Sequence, residues 1–81
     1  MNESLSTRET GWVLGKSAAE VRRMIRDGAI QGVRIPAGFR VPRDEALRLG
    51  RERIEGEAGR TVSDRELERL IDEVLETNRA T

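Results

Sequence analysis

The chain has no cysteine and no histidine. Disulfides therefore cannot staple it, and imidazole acid–base catalysis is excluded. A zinc site would have to be built from carboxylates alone, a poor set for that ion, so no metal and no cofactor is expected. No apolar run approaches the eighteen or so residues that a membrane span needs, and the opening MNESLST lacks a signal-peptide core. These absences predict a soluble cytoplasmic protein with no membrane partner. A glycine-rich phosphate loop and a nucleophile beside a base are missing too, so the pattern does not support an enzyme.

What is present fits one small domain. Eighty-one residues bury only roughly 60% of the surface of the unfolded chain. The formal net charge is zero, from 15 basic and 15 acidic residues, but the charges are segregated. Residues 1–54 hold eleven Lys/Arg against seven Asp/Glu, a net +4, and residues 55–81 hold four against eight, a net −4. Residues 16–43 alone hold seven against two, a net +5. A basic body with an acidic tail points to a nucleic-acid partner for the body.

Three segments open with Ser-x-x-Glu: Ser6 with Glu9, Ser17 with Glu20, and Ser63 with Glu66. Each is a capping-box signature, in which the serine hydroxyl accepts from a helix amide while the glutamate reaches back to the cap amide. The spacing predicts helices over 7–14, 18–27, 44–55 and 64–78. Gly15 and Gly28 are placed as stops for the first two, and Gly11 and Gly50 weaken the helices that contain them. Trp12 reads as partly buried against the core. Val21, Met24 and Ile25 form one apolar stripe, with Arg22, Arg23 and Arg26 off it. Between Leu14 and Ala18, Gly15-Lys16-Ser17 is a short turn of the helix-turn-helix kind. Val33-Arg34-Ile35, a turn at Pro36-Ala37-Gly38, and Phe39-Arg40-Val41 read as a β-hairpin. Arg34 and Arg40 alternate with apolar neighbours, which sends both away from the core. In the last helix Leu67, Leu70, Ile71, Val74 and Leu75 recur at helical spacing, with Glu68, Asp72, Glu73 and Glu76 opposite. That stripe fits the protein's own core, a second copy or another protein.

The expected fold is mainly α with a small β-hairpin, a winged helix-turn-helix followed by a C-terminal amphipathic helix. Its parts are a DNA-binding domain over 1–55, a linker over 56–62 and an acidic helix over 63–81. Residues 5–47 resemble the excisionase-like, MerR-related winged-helix family. The resemblance rests on Leu5, the turn Leu14-Gly15-Lys16-Ser17, the run Val21-Arg22-Arg23-Met24-Ile25-Arg26, the pair Asp27-Gly28, and Phe39-Arg40-Val41-Pro42. It implies that the second helix enters the major groove of double-stranded DNA, with Lys16, Ser17, Arg22, Arg23 and Arg26 near phosphates or base edges. It also implies a wing that lies along the backbone or in the minor groove through Arg34 and Arg40, and Arg43 closes the basic set. Such domains act as excisionases assisting an integrase and as small transcription regulators. The chain departs from the family in having Ala18-Ala19 where longer polar side chains are common, and an uncharged wing tip. Those departures imply fewer base contacts beside retained phosphate contacts.

Other readings remain open at this point. In an antitoxin, the acidic tail would fold in the groove of a toxin, with Leu67, Leu70, Ile71, Val74 and Leu75 as the contact stripe. The same stripe would serve an integrase or a second copy. A helical adaptor with merely solvated arginines, and a dimeric ribbon-helix-helix using Phe39-Arg40-Val41 as its ribbon, are weaker rivals.

Overall fold

The serine caps and glycine stops organise most of the chain. The computed structural model describes residues 3–80; Met1, Asn2 and Thr81, the outermost positions of the expected segments, lie outside them. In chain order the elements are β1 (Ser4–Ser6), α1 (Thr7–Leu14), α2 (Ala18–Arg26), β2 (Val33–Ile35), β3 (Gly38–Pro42), α3 (Arg43–Ala58) and α4 (Asp64–Arg79). The fold is mainly helical, 63%, with four helices and a small three-stranded antiparallel sheet. It is a helix-turn-helix followed by a hairpin, with two longer helices after it.

Each serine start is used, though not in the same way. Around α1 the capping box closes: the Glu9 amide donates to Ser6 Oγ at 3.0 Å, and the Ser6 amide donates to Glu9 Oε1 at 2.9 Å. Ser17 and Ser63 accept from Glu20 and Glu66 amides at 3.1 Å each. There the glutamate carboxylates turn elsewhere, Glu20 toward Lys16 and Arg23 and Glu66 toward Arg60. Gly15 ends α1 with φ 70°, a left-handed conformation that a side chain resists.

Two parts of the element order stand out against the sequence expectation. The first is β1, which has no counterpart there. It is three residues long, and its partner lies far along the chain, with Leu5 opposite Val41 in β3. Both side chains are buried, and Arg40 fixes the pairing by donating to Ser4 Oγ at 3.0 Å and Ser4 O at 2.6 Å. The second is the end of α3, which runs through Gly56 to Ala58 and stops at Gly59, φ 70°. Arg51 with Glu55 and Arg53 with Glu57 are ion pairs one turn apart that carry the helix past Gly56.

The core gathers Leu5, Val13, Val21, Ile30, Val41, Ala46, Val62, Leu67, Ile71 and Leu75. α4 lies against α1 and α3, and its Leu67, Ile71 and Leu75 join the same core. The joint before α4 is pinned. Arg51 donates to the Val62 carbonyl at 2.5 Å and pairs with Asp64, while the Val62 amide donates to Glu55 Oε2 at 2.9 Å. Arg79 reaches back to Glu9 at 2.5 Å. Among the described residues, no helix is long and apolar enough to cross a membrane.

Candidate nucleic-acid interface

α2 is the least embedded helix. It packs mainly on α1, and Val21 is its one buried residue, with Met24 and Ile25 half-buried beside it. The helical spacing puts Ala19, Arg23 and Arg26 on the opposite side and Arg22 on the flank. The loop after α2 folds back on it. Gly32 sits so close to Ile25 that a Cβ there would lie 2.9 Å from the isoleucine methyl groups. Ile25, Gly28, Ile30, Gln31, Gly32, Val33 and Pro42 line a groove of about 430 Å³, so the end of α2 and the base of the hairpin share one surface.

Glu45 holds that surface in place. This carboxylate is buried, 9% exposed, yet accepts from the Gln31 amide at 3.0 Å and from Arg48 at 2.9 and 3.0 Å. The Arg48 guanidinium, with the Gln31 amide, outweighs the effect of burial and holds the carboxyl below its usual range. α3 thereby anchors the segment that links α2 to the hairpin. Sequence reasoning passes over Glu45. The available signal was its spacing, one helical turn before Leu49 on a face that also carries Ala46.

The expected contact residues fall into three groups. Among the described residues, the side chains of Arg22, Arg26 and Arg34 make no hydrogen bond or ion pair; Arg26 and Arg34 are exposed and Arg22 half-buried. Lys16 and Arg23 both face Glu20, at 3.6 and 3.9 Å, and Ser17 is occupied as a helix cap. Arg40 and Arg43 are committed within the fold. Arg40 clamps β1, and Arg43 lies 3.2 Å from Asp72 and 3.6 Å from Glu68 of α4.

The hairpin also corrects the orientation of its arginines. Ile35 pairs with Gly38, so the loop is two residues, Pro36-Ala37, and Arg34 stands opposite Phe39 while Arg40 stands opposite Val33. Directly opposed residues share a sheet face. A three-residue turn would have set Arg34 opposite Arg40; the shorter loop shifts the register by one and separates them onto opposite faces. Arg40 therefore does not join Arg34 in a common basic row.

The apolar stripe of α4 is divided as well. Leu67, Ile71 and Leu75 are buried in the protein's own core, one of the three surfaces that the stripe fits. Leu70 and Val74 stay half-buried and line a groove of about 610 Å³ with Ile54, Ala58 and Val13. On α1, Arg8 lies over Trp12, 5.7 Å from the ring centroid, and the indole packs against the core. Comparison with known proteins finds no family model, no curated protein and no solved structure that matches the chain.

Proposed function

We propose that the protein binds duplex DNA through α2 and the β2–β3 hairpin, as a small regulator or excisionase-type accessory protein. The observation that carries this reading is the distribution of uncommitted cations. Most arginines are paired with a carboxylate or a carbonyl. Among the described residues, those without a hydrogen bond, ion pair or ring contact are Arg22, Arg26, Arg34 and Arg65. Three of the four belong to α2, which packs mainly on α1, and to the hairpin that follows it. Arginines left unpaired beside a protruding helix suit phosphate contact.

Binding is expected to be salt-dependent. Each phosphate neutralised on B-DNA contributes about −0.9 to the slope of log affinity against log salt, so three arginines give a slope of about −3. Fluorescence anisotropy with a mixed-sequence 20-base-pair duplex, at salt from low to physiological, measures it. Binding that is absent or independent of salt contradicts the reading. The alternative of a tail that folds on a toxin loses support, because three of its five apolar contact residues are already buried at home.

A further inference from the structure

We infer that Glu20 is a specificity-determining residue of this DNA-binding surface, one that keeps Lys16 and Arg23 off phosphates. The inference rests on the proposed function. Glu20 is the third residue of α2, where a glutamate ordinarily closes a capping box with the serine before the helix. Only half of that box forms, through the Glu20 amide, which donates to Ser17 Oγ at 3.1 Å. The carboxylate lies between two cations instead, 3.6 Å from Lys16 Nζ and 3.9 Å from Arg23 Nη2, with its side chain 40% exposed. For comparison, Glu9 at the same position of α1 does close its box. The carboxylate of Glu20 is thus free of helix capping and is spent on the two basic groups that flank the first turn of the protruding helix.

Two consequences follow from elementary electrostatics. A carboxylate repels phosphate, so docking modes that press the first turn of α2 against the backbone are disfavoured. The same group accepts hydrogen bonds, and in the major groove an exocyclic amine such as that of cytosine supplies a donor. Around it, Ala18 and Ala19 offer no polar side-chain atom and Ser17 is occupied. Glu20 is therefore the acceptor at the start of α2 through which a base edge is told from a phosphate. Specificity achieved this way includes a repulsive element, which penalises the wrong partner as well as favouring the right one.

The test is Glu20→Gln, which keeps the size and the helix amide while removing the charge. Binding to a mixed-sequence 20-base-pair duplex is measured against salt, and thermal unfolding checks the fold. The wild-type slope of about −3 is expected to steepen to about −4.5 as Lys16 and Arg23 join the phosphate contacts, with affinity at 0.1 M salt rising at least about tenfold. Adding Lys16→Ala and Arg23→Ala to Glu20→Gln should return the slope to about −3, and the same pair in the wild type should leave it unchanged. Asp27→Asn removes an equal charge at the other end of α2, where no ion pair is formed, and should leave the slope near −3. Wild-type binding with an unaltered slope and affinity in Glu20→Gln overturns the role of Glu20 alone. An equal gain from Asp27→Asn overturns it too, because general charge then explains the effect. No binding by any variant overturns the DNA reading and this inference with it.

Discussion

Gly11 and Gly56 both occupy the interior of a helix, and helix propensity alone does not tell them apart. Their surroundings do. The Lys16 amide donates to the Gly11 carbonyl at 2.9 Å, folding the turn over α1, and a Cβ at Gly11 would land on the Lys16 carbonyl oxygen. At Gly56 a Cβ meets nothing within 4 Å. Gly11→Ala is therefore expected to destabilise by about 1–3 kcal/mol through overpacking. Gly56→Ala should stabilise by about 0.5–1 kcal/mol, since alanine is the better helix former. Urea unfolding of the two variants checks the signs, and a stabilising Gly11→Ala would contradict the turn geometry. Gly50 belongs with Gly11: a Cβ there would stand 2.8 Å from Ile71 Cδ1 and 3.0 Å from Val13 Cγ1, so its absence lets α3 close on α1 and α4. The sequence marks Gly11 and Gly50 as helix-weakening and places Gly56 in the joint after the helix; only the packing separates the two that are required from the one that is replaceable.

α4 shows the same division within one element. Its stripe is plain in the sequence, but which residues of it are covered depends on where α1 and α3 lie. Ile71 is 1% exposed, and Ile71→Ala is expected to cost about 2–5 kcal/mol. Leu70, half-buried on the wall of the open groove, should cost only about 1 kcal/mol when cut to alanine, because less apolar surface is uncovered. Denaturant midpoints of the two variants measure the difference, and equal losses would mean that the groove is closed. Elements set by local chemistry are readable in this way: α1 and α2 start at serine caps and stop at glycines within a residue of the expected ends. β1 is not readable, because Ser4-Leu5-Ser6 is too short to alternate and gains its pairing from β3, 36 positions away at Arg40. The basic residues are legible as a group, but their availability is not. Arg40 and Arg43 are withdrawn by Ser4 and by α4, contacts between elements that the linear pattern does not encode.

For the whole molecule, the zero net charge conceals a dense set of internal pairs that acid would undo. Glu9, Glu45 and Glu66 all titrate below the ordinary glutamate value of 4.5. At Glu9, burial pushes the carboxyl up, but the Ser6 amide and the Arg79 guanidinium together pull it further down. At Glu45 and Glu66 the main cause is the neighbouring arginine, Arg48 and Arg60 respectively. In each case the unfolded chain takes up protons before the folded one, so this stability is present above about pH 4.5 and is lost as pH falls through the lowered values. With no histidine, no side chain of ordinary pKa titrates between about pH 5 and 8. Thermal melts should therefore give a flat midpoint from about pH 5 to 8 and a steep fall below about 4.5; a midpoint that slopes between about pH 6 and 8 would contradict this account. The order of the sheet, β1-β3-β2, also bears on how copies of the chain behave toward one another. The five-residue strand lies in the centre and a three-residue strand forms each edge. An open edge is then only about 10 Å long, with serines flanking Leu5 on one side and Arg34 at the middle of the other. Val33 on that second edge is 54% exposed, the one large apolar side chain so exposed among the described residues. Edges this short, and charged or polar where a new strand would have to lie, make poor templates for cross-chain β-pairing, which guards a concentrated solution of the protein against aggregation.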